Sequence, residues 1–105
     1  MNLGGIKVSS AEIEHVLRMV PNVIETAAIA VSSGGGPSQL VIYAVCSDAQ
    51  GLTKEHLTAA MQSAIKRELN PLFKIHDLVL IEALPRTASN KVMRRELRAK
   101  YNVSP

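Results

Sequence analysis

Apolar positions along the chain follow two periodicities. Met1 to Val8 reads as a short β-hairpin, with Gly4-Gly5 supplying the turn. Ser9-Ser10-Ala11-Glu12 has a hydroxyl at a helix start and a carboxylate three residues on, the pattern of a capping box. Ile13, Val16, Leu17 and Val20 then recur at helical spacing, and Pro21-Asn22 ends that helix. Val23 to Val31 and Leu40 to Cys46 are rich in Val, Ile and Ala and read as strands. The Gly/Ser-rich segment 32–38 between them predicts an antiparallel pair. Thr53 is a good N-cap for a second helix, whose Leu57, Met61, Ala64, Ile65 and Leu69 form one stripe before Asn70-Pro71 stops it. His76 to Ala83, with Leu78, Val79, Leu80 and Ile81 in succession, predicts a largely buried strand, and a short helix follows from about Val92 to Lys100.

The order is hairpin, helix, strand, strand, helix, strand, helix. It predicts a single α+β domain: a small antiparallel sheet of about three strands, flanked by helices and preceded by the N-terminal hairpin. Length agrees, since 105 residues fit one domain with one modest core. Hydrophobic residues make up 47% and aromatics only 3%, so the core must be aliphatic. No apolar run approaches the ~20 residues that span a bilayer. The first residues lack the basic-then-apolar pattern of a signal peptide. Cys46 is the single cysteine, which excludes an internal disulfide and fits a reducing, intracellular compartment.

Charge changes the picture because it is unevenly placed. Residues 86–105 hold six of the twelve Lys/Arg and one acid, a local charge of +5, whereas residues 1–85 hold six bases and eight acids, or −2. The positive field at the C-terminal end favours an anionic ligand or an acidic surface. Its source is Leu84-Pro85-Arg86-Thr87-Ala88-Ser89-Asn90-Lys91-Val92-Met93-Arg94-Arg95-Glu96-Leu97-Arg98. A strand-like run ends at a Pro, a small-polar turn follows with Lys91 at its tip, and a basic helix begins. An ammonium group so presented is a compact charge with three donors, suited to entering a partner's pocket and stabilising developing negative charge. Arg86, Arg94 and Arg95 add positive potential around it. A solvated basic helix is the other role open to the same residues.

The stretch resembles the C-terminal lysine motif of adenylate-forming enzymes, a family that includes acyl-CoA synthetases, peptide-synthetase adenylation domains and luciferases. The family pattern is L-P-(K/R)-T-x-S-G-K-(I/V)-x-R-x-x-L, and residues 84–97 follow it except at Asn90, where the family has Gly. Glycine at that place suggests a positive-φ turn, and Asn is the side-chain-bearing residue that tolerates it best. A second patch, Asn2-Leu3-Gly4-Gly5-Ile6-Lys7-Val8-Ser9-Ser10-Ala11-Glu12-Ile13-Glu14, resembles the family segment N-x-x-G-x-(R/K)-(I/V/L)-x-x-x-E-I-E that follows its hinge. The patches lie at opposite ends, so the resemblance covers essentially the whole chain.

The resemblance implies that residues 1–105 are the C-terminal lid of a larger acyl-CoA synthetase. The large N-terminal domain would bind ATP, Mg²⁺ and a carboxylic acid. The family joins the acid to ATP, giving an acyl-adenylate and pyrophosphate, then transfers the acyl group to a thiol, usually that of CoA. The small domain rotates between the steps. By position, Lys91 would be the catalytic cation of the first step. Gly4 and Gly5 would let the pantetheine arm of CoA pass close to the backbone in the second. Lys7 and Lys66 fall where family members place cations near CoA phosphates. Each has an ordinary counterpart role: a tight turn for the glycines, surface charge for the lysines. The chain alone would be inactive, lacking a nucleotide and an acid pocket. The compartment would be cytoplasmic or peroxisomal.

His15, His56 and His76 have no ligand spacing, which speaks against a metal site. The main rival function is a nucleic-acid or acidic-partner binding module using residues 86–100. Tyr43, Phe73 and Tyr101 do not interleave with the basic cluster, which argues against a stacking platform and so against nucleic acid.

Overall fold

The computed structural model describes residues 2–3, 6–31, 38–47 and 53–103. Strands β1 (Asn2–Leu3) and β2 (Ile6–Lys7) pair antiparallel, with Asn2 opposite Lys7 and Leu3 opposite Ile6. Gly4 and Gly5, expected at the turn, lie outside the described residues.

Helix α1 (Ser10–Leu17) starts where the hydroxyl pattern placed it: Ser9 Oγ accepts from the Glu12 amide at 3.1 Å. At eight residues it is too short to hold itself in water. Burial of Ile13 and Leu17, both fully covered, contributes about 1.5–3 kcal/mol each and supplies the deficit. The helix ends three residues before Val20, yet Val20 remains in the core because the turn at 18–20 carries it inward. Asn22 then takes φ 71° and redirects the chain into β3 (Val23–Val31).

β3 pairs antiparallel with β4 (Gln39–Cys46) from Val23–Cys46 to Val31–Gln39. Helix α2 (Lys54–Glu68) follows, capped by Thr53 Oγ1 accepting from the His56 amide at 3.1 Å. It returns the chain to β5 (Ile75–Leu80), which lies beside β4 in parallel, Leu40 opposite Ile75 and Ala44 opposite Leu80. The order is β3-β4-β5, so the sheet is mixed, not wholly antiparallel as expected. The correction follows from α2. A strand reached through a helix that crosses one sheet face re-enters from the same end and runs parallel to its neighbour.

β4 is central and buried on both faces, which is why Leu40 to Ala44 form an unbroken apolar run. One face carries Leu40, Ile42, Ala44, Ala28 and Leu78 against α1 and α2, through Ile13, Leu17, Leu57, Met61 and Ile65. The other carries Ala27, Ile29, Val31, Val41 and Tyr43 against Leu84 and Leu97. Leu97 belongs to α3 (Arg94–Val103), so α3 and the segment before it cover the face opposite α1 and α2.

Candidate functional site: a braced loop carrying Lys91

The segment between β5 and α3 is a small closed hairpin. Arg86 and Val92 form an antiparallel bridge at its base, and the Met93 amide donates to the Pro85 carbonyl at 2.8 Å. These bonds keep residues 92 and 93 extended, so the last helix begins at Arg94 and not near Val92. Inside the hairpin the Thr87 amide donates to the Lys91 carbonyl at 2.8 Å and the Asn90 amide to the Thr87 carbonyl at 2.9 Å. Thr87 Oγ1 accepts from the Lys91 amide at 3.2 Å and lies 3.0 Å from Ser89 Oγ. Thr and Ser at these positions thus replace the ladder bonds that a turn cannot make. Asn90 sits at φ 69°, the left-handed conformation that its family counterpart glycine implied.

The Lys91 backbone is therefore held at both its amide and its carbonyl, while its side chain is exposed. Among the described residues its ammonium has no hydrogen bond or ion pair. A charge left fully available on a rigid turn can be delivered to an external anion without first breaking an internal contact.

Two flanking arginines behave differently from the sequence expectation. Arg94 pairs with Glu14, Nη2 lying 2.6 Å from Oε1 and 2.8 Å from Oε2, with Nε 3.2 Å from Oε2. Arg86 pairs with Glu25 at 2.5 Å and also donates from Nη1 to the Asn90 carbonyl at 3.0 Å. Neither is a free source of positive potential around Lys91, since a carboxylate neutralises each. Their role is structural: Arg94 ties the start of α3 to α1, and Arg86 ties the loop to β3. Arg95 remains exposed.

Glu14 was not legible as a site residue, although its neighbours gave a hint. It lies between Ile13 and Leu17 in the buried stripe of α1, an unusual place for a carboxylate without a partner. Its partner is 80 residues away in sequence.

Helix α3 is held at two further points. The Tyr43 hydroxyl donates to the Leu97 carbonyl at 3.2 Å, and the Tyr101 hydroxyl donates to Asp77 Oδ2 at 3.0 Å. Burial first, and then the Asp77 charge, push the Tyr43 hydroxyl up from its ordinary value. Tyr101 is raised by burial and by the Asp77 hydrogen bond and charge. Both phenols therefore remain donors through neutral pH. Burial alone would raise the Asp77 carboxyl. The Tyr101 hydroxyl, the Lys54 ammonium 3.4 Å away and the Leu78 amide together outweigh it and hold the group below the ordinary carboxylate range.

The remaining candidates are not assembled with Lys91. Lys7 is exposed at the end of β2 and Lys66 is exposed in the last turn of α2, with no hydrogen bond or ion pair joining them. Gly4 and Gly5 lie outside the described residues. Among the described residues no cluster of three or more His, Cys, Asp or Glu could hold a metal ion. Among them, too, no helix is long and apolar enough to cross a membrane.

A three-stranded mixed sheet with two helices on one face and a third on the other defines an α+β domain. Residues 12–91 match the AMP-binding enzyme C-terminal domain, and the chain belongs to that family. The hexanoyl-CoA synthase of Cannabis sativa is 47% identical over 106 residues, covering 97% of this chain and 15% of that protein. The probable peroxisomal acyl-activating enzyme 17 of Arabidopsis thaliana is 51% identical over 102 residues, covering 93% of this chain and 14% of that protein. The crystal structure of Brucella canis acyl-CoA synthetase superposes with a TM-score of 0.83 at 21% identity, covering 94% of this chain and 18% of that one, a likeness of fold. The chain thus spans about 15% of the length of the curated relatives it matches.

Proposed function

We propose that the chain is the C-terminal lid of an AMP-forming acid–thiol ligase, with Lys91 as the cation it delivers for adenylation. The observation that carries this reading is the pairing pattern of the motif. Arg86 and Arg94 are committed to carboxylates, whereas among the described residues the Lys91 ammonium has no ion pair and is presented from a fixed backbone. In the proposed reaction a carboxylate oxygen attacks the α-phosphorus of ATP and pyrophosphate leaves. Negative charge grows on the phosphoryl oxygens, and the Lys91 ammonium stabilises it there. The domain then rotates, and the acyl group passes from AMP to the sulfur of CoA. Gly4 and Gly5 would admit the pantetheine arm in that second state, and Lys7 and Lys66 would face the CoA phosphates. ATP, Mg²⁺ and the acid belong to the companion N-terminal domain in this scheme.

Support for an acid–thiol ligase comes from the relatives' names and from family membership. Support for placing Lys91 at the chemistry comes from the loop geometry. The same pairing weakens the rival nucleic-acid role of residues 86–100, because it withdraws Arg86 and Arg94 from the basic run that would meet phosphates. Cytoplasm and peroxisome both remain compatible homes, and two of the relatives are named as peroxisomal. The test is acid-dependent exchange of labelled pyrophosphate into ATP. The full-length polypeptide should catalyse it and, with CoA, form AMP and a thioester, whereas residues 1–105 alone should do neither. Robust exchange by the isolated chain would overturn the lid assignment.

A further inference from the structure

The Asn90–Lys91 peptide is gripped from both sides. Its carbonyl accepts from Arg86 Nη1 at 3.0 Å, and its amide donates to Thr87 Oγ1 at 3.2 Å. That peptide plane sets the direction in which the Lys91 side chain leaves the backbone. The Arg86 guanidinium is in turn held at its other nitrogen by Glu25, 2.5 Å away on β3. A planar fork with fixed donors can bridge a carboxylate and a carbonyl at once, which an ammonium on a flexible stem does poorly. Glu25 lies on the edge strand of the sheet, so the chain of contacts runs from the rigid scaffold to the peptide of Lys91.

We propose that Glu25 is a positioning residue for Lys91, aiming it from strand β3 through the Arg86 guanidinium. The inference rests on Lys91 acting in adenylation. The pair is too exposed to matter much for folding, since its side chains are 30% and 37% accessible. Exposed pairs of this kind contribute little stability. Its value is geometric. A displacement on the order of 1 Å at a catalytic group costs up to about 10²-fold in rate. The ammonium must arrive at the reacting oxygens from a loop with few packing contacts of its own, so the bridge supplies the rigidity that packing does not.

The experiment uses the full-length enzyme with Glu25→Gln, Arg86→Lys, both together, and Lys91→Ala as the reference. Adenylation is read by pyrophosphate release, and the second half-reaction by thioester formation from supplied acyl-adenylate. Loop order is read by hydrogen–deuterium exchange in peptides covering residues 86–93. Each single variant is expected to lower the adenylation kcat by roughly tenfold with the KM for ATP unchanged. The double variant should be no slower than either single one, because both break one bridge. Thioester formation and the melting temperature should stay at wild-type values, and exchange at residues 86–93 should accelerate.

Wild-type adenylation in Glu25→Gln, with Lys91→Ala crippled, would overturn the positioning role and leave the Lys91 assignment standing. So would equal slowing of both half-reactions, additive losses in the double variant, or unchanged exchange at residues 86–93. Wild-type adenylation in Lys91→Ala would remove both.

Discussion

Glu14 and Arg94 meet around the open edge of the sheet. Glu14 projects from α1 on one face, Arg94 begins α3 on the other, and their side chains join at 2.6 Å. The same carboxylate accepts from the Ala28 amide at 2.8 Å. That amide belongs to β3, which among the described residues pairs only with β4, and its N–H points away from that ladder to the carboxylate. One carboxylate thus covers an exposed strand edge and clasps two layers together. The clasp lies three residues after Lys91 and ties the first residue of α3 to α1.

Glu14→Ala removes the acceptor for three donors, one of them a backbone amide. Breaking a buried pair costs several kcal/mol, but Arg94 keeps about a third of its side chain in water and can rehydrate. The expected loss is roughly 2–3 kcal/mol, read as a lower urea midpoint. Arg94→Lys should lose less, because one ammonium retains the charge without the fork. A Glu14→Ala variant as stable as wild type would show that the clasp carries no stability.

Asn90 at φ 69° makes a second prediction specific to this chain. Asn90→Gly should be nearly neutral, within about 0.5 kcal/mol, since glycine reaches this conformation without a Cβ clash. Asn90→Ala should cost about 1–2 kcal/mol and a β-branched Val more, because the side chain meets the following carbonyl. Denaturant midpoints for the three variants give the order. Equal stability of Gly and Val variants would mean that the turn has relaxed to negative φ.

The Asp77 cluster predicts a pH dependence. A carboxyl with a depressed folded-state value contributes stability above its unfolded value of about 3.9, and that contribution fades as pH falls through the lower folded value. Asp77→Asn should therefore be less stable than wild type at pH 7, by under about 1 kcal/mol given the exposure of the pair with Lys54. The gap should close below about pH 4. Urea midpoints at pH 7, 5 and 3 measure it. A gap that stays constant to pH 3 would rule out the ionised carboxylate as its origin.

Much of the architecture is readable in the chain. Ser9 and Thr53 cap the helices they precede, and the stripes at 13, 16, 17 and at 57, 61, 64, 65 are the buried faces. Hydroxyl caps and 3.6-residue periodicity are local physics, so a single segment displays them. The direction of β5 was not readable as an alternation pattern, because a strand with apolar residues on both faces looks alike in either orientation. It is set by the crossover through α2. Helix α3 starts two residues later than the spacing predicts because the Arg86–Val92 bridge competes for the backbone of Val92. At the candidate site, Lys91 and the turn residue Asn90 were legible from the motif. The pairing of Arg86 and Arg94 was not: their partners lie 61 and 80 residues away, and a basic run gives no sign of which charges are neutralised.

The central claim is that an ammonium held out from a braced turn serves adenylation and not thioester formation. Single-turnover rates of the two half-reactions in the full-length Lys91→Ala enzyme test it most directly. Pyrophosphate release should slow by about 10²–10³-fold, the usual cost of removing one electrostatic donor from a developing oxyanion. Thioester formation from supplied acyl-adenylate and CoA should proceed within about twofold of wild type, because a group absent from that transition state contributes nothing to it. Equal loss in both half-reactions, or undiminished pyrophosphate release, would contradict the account.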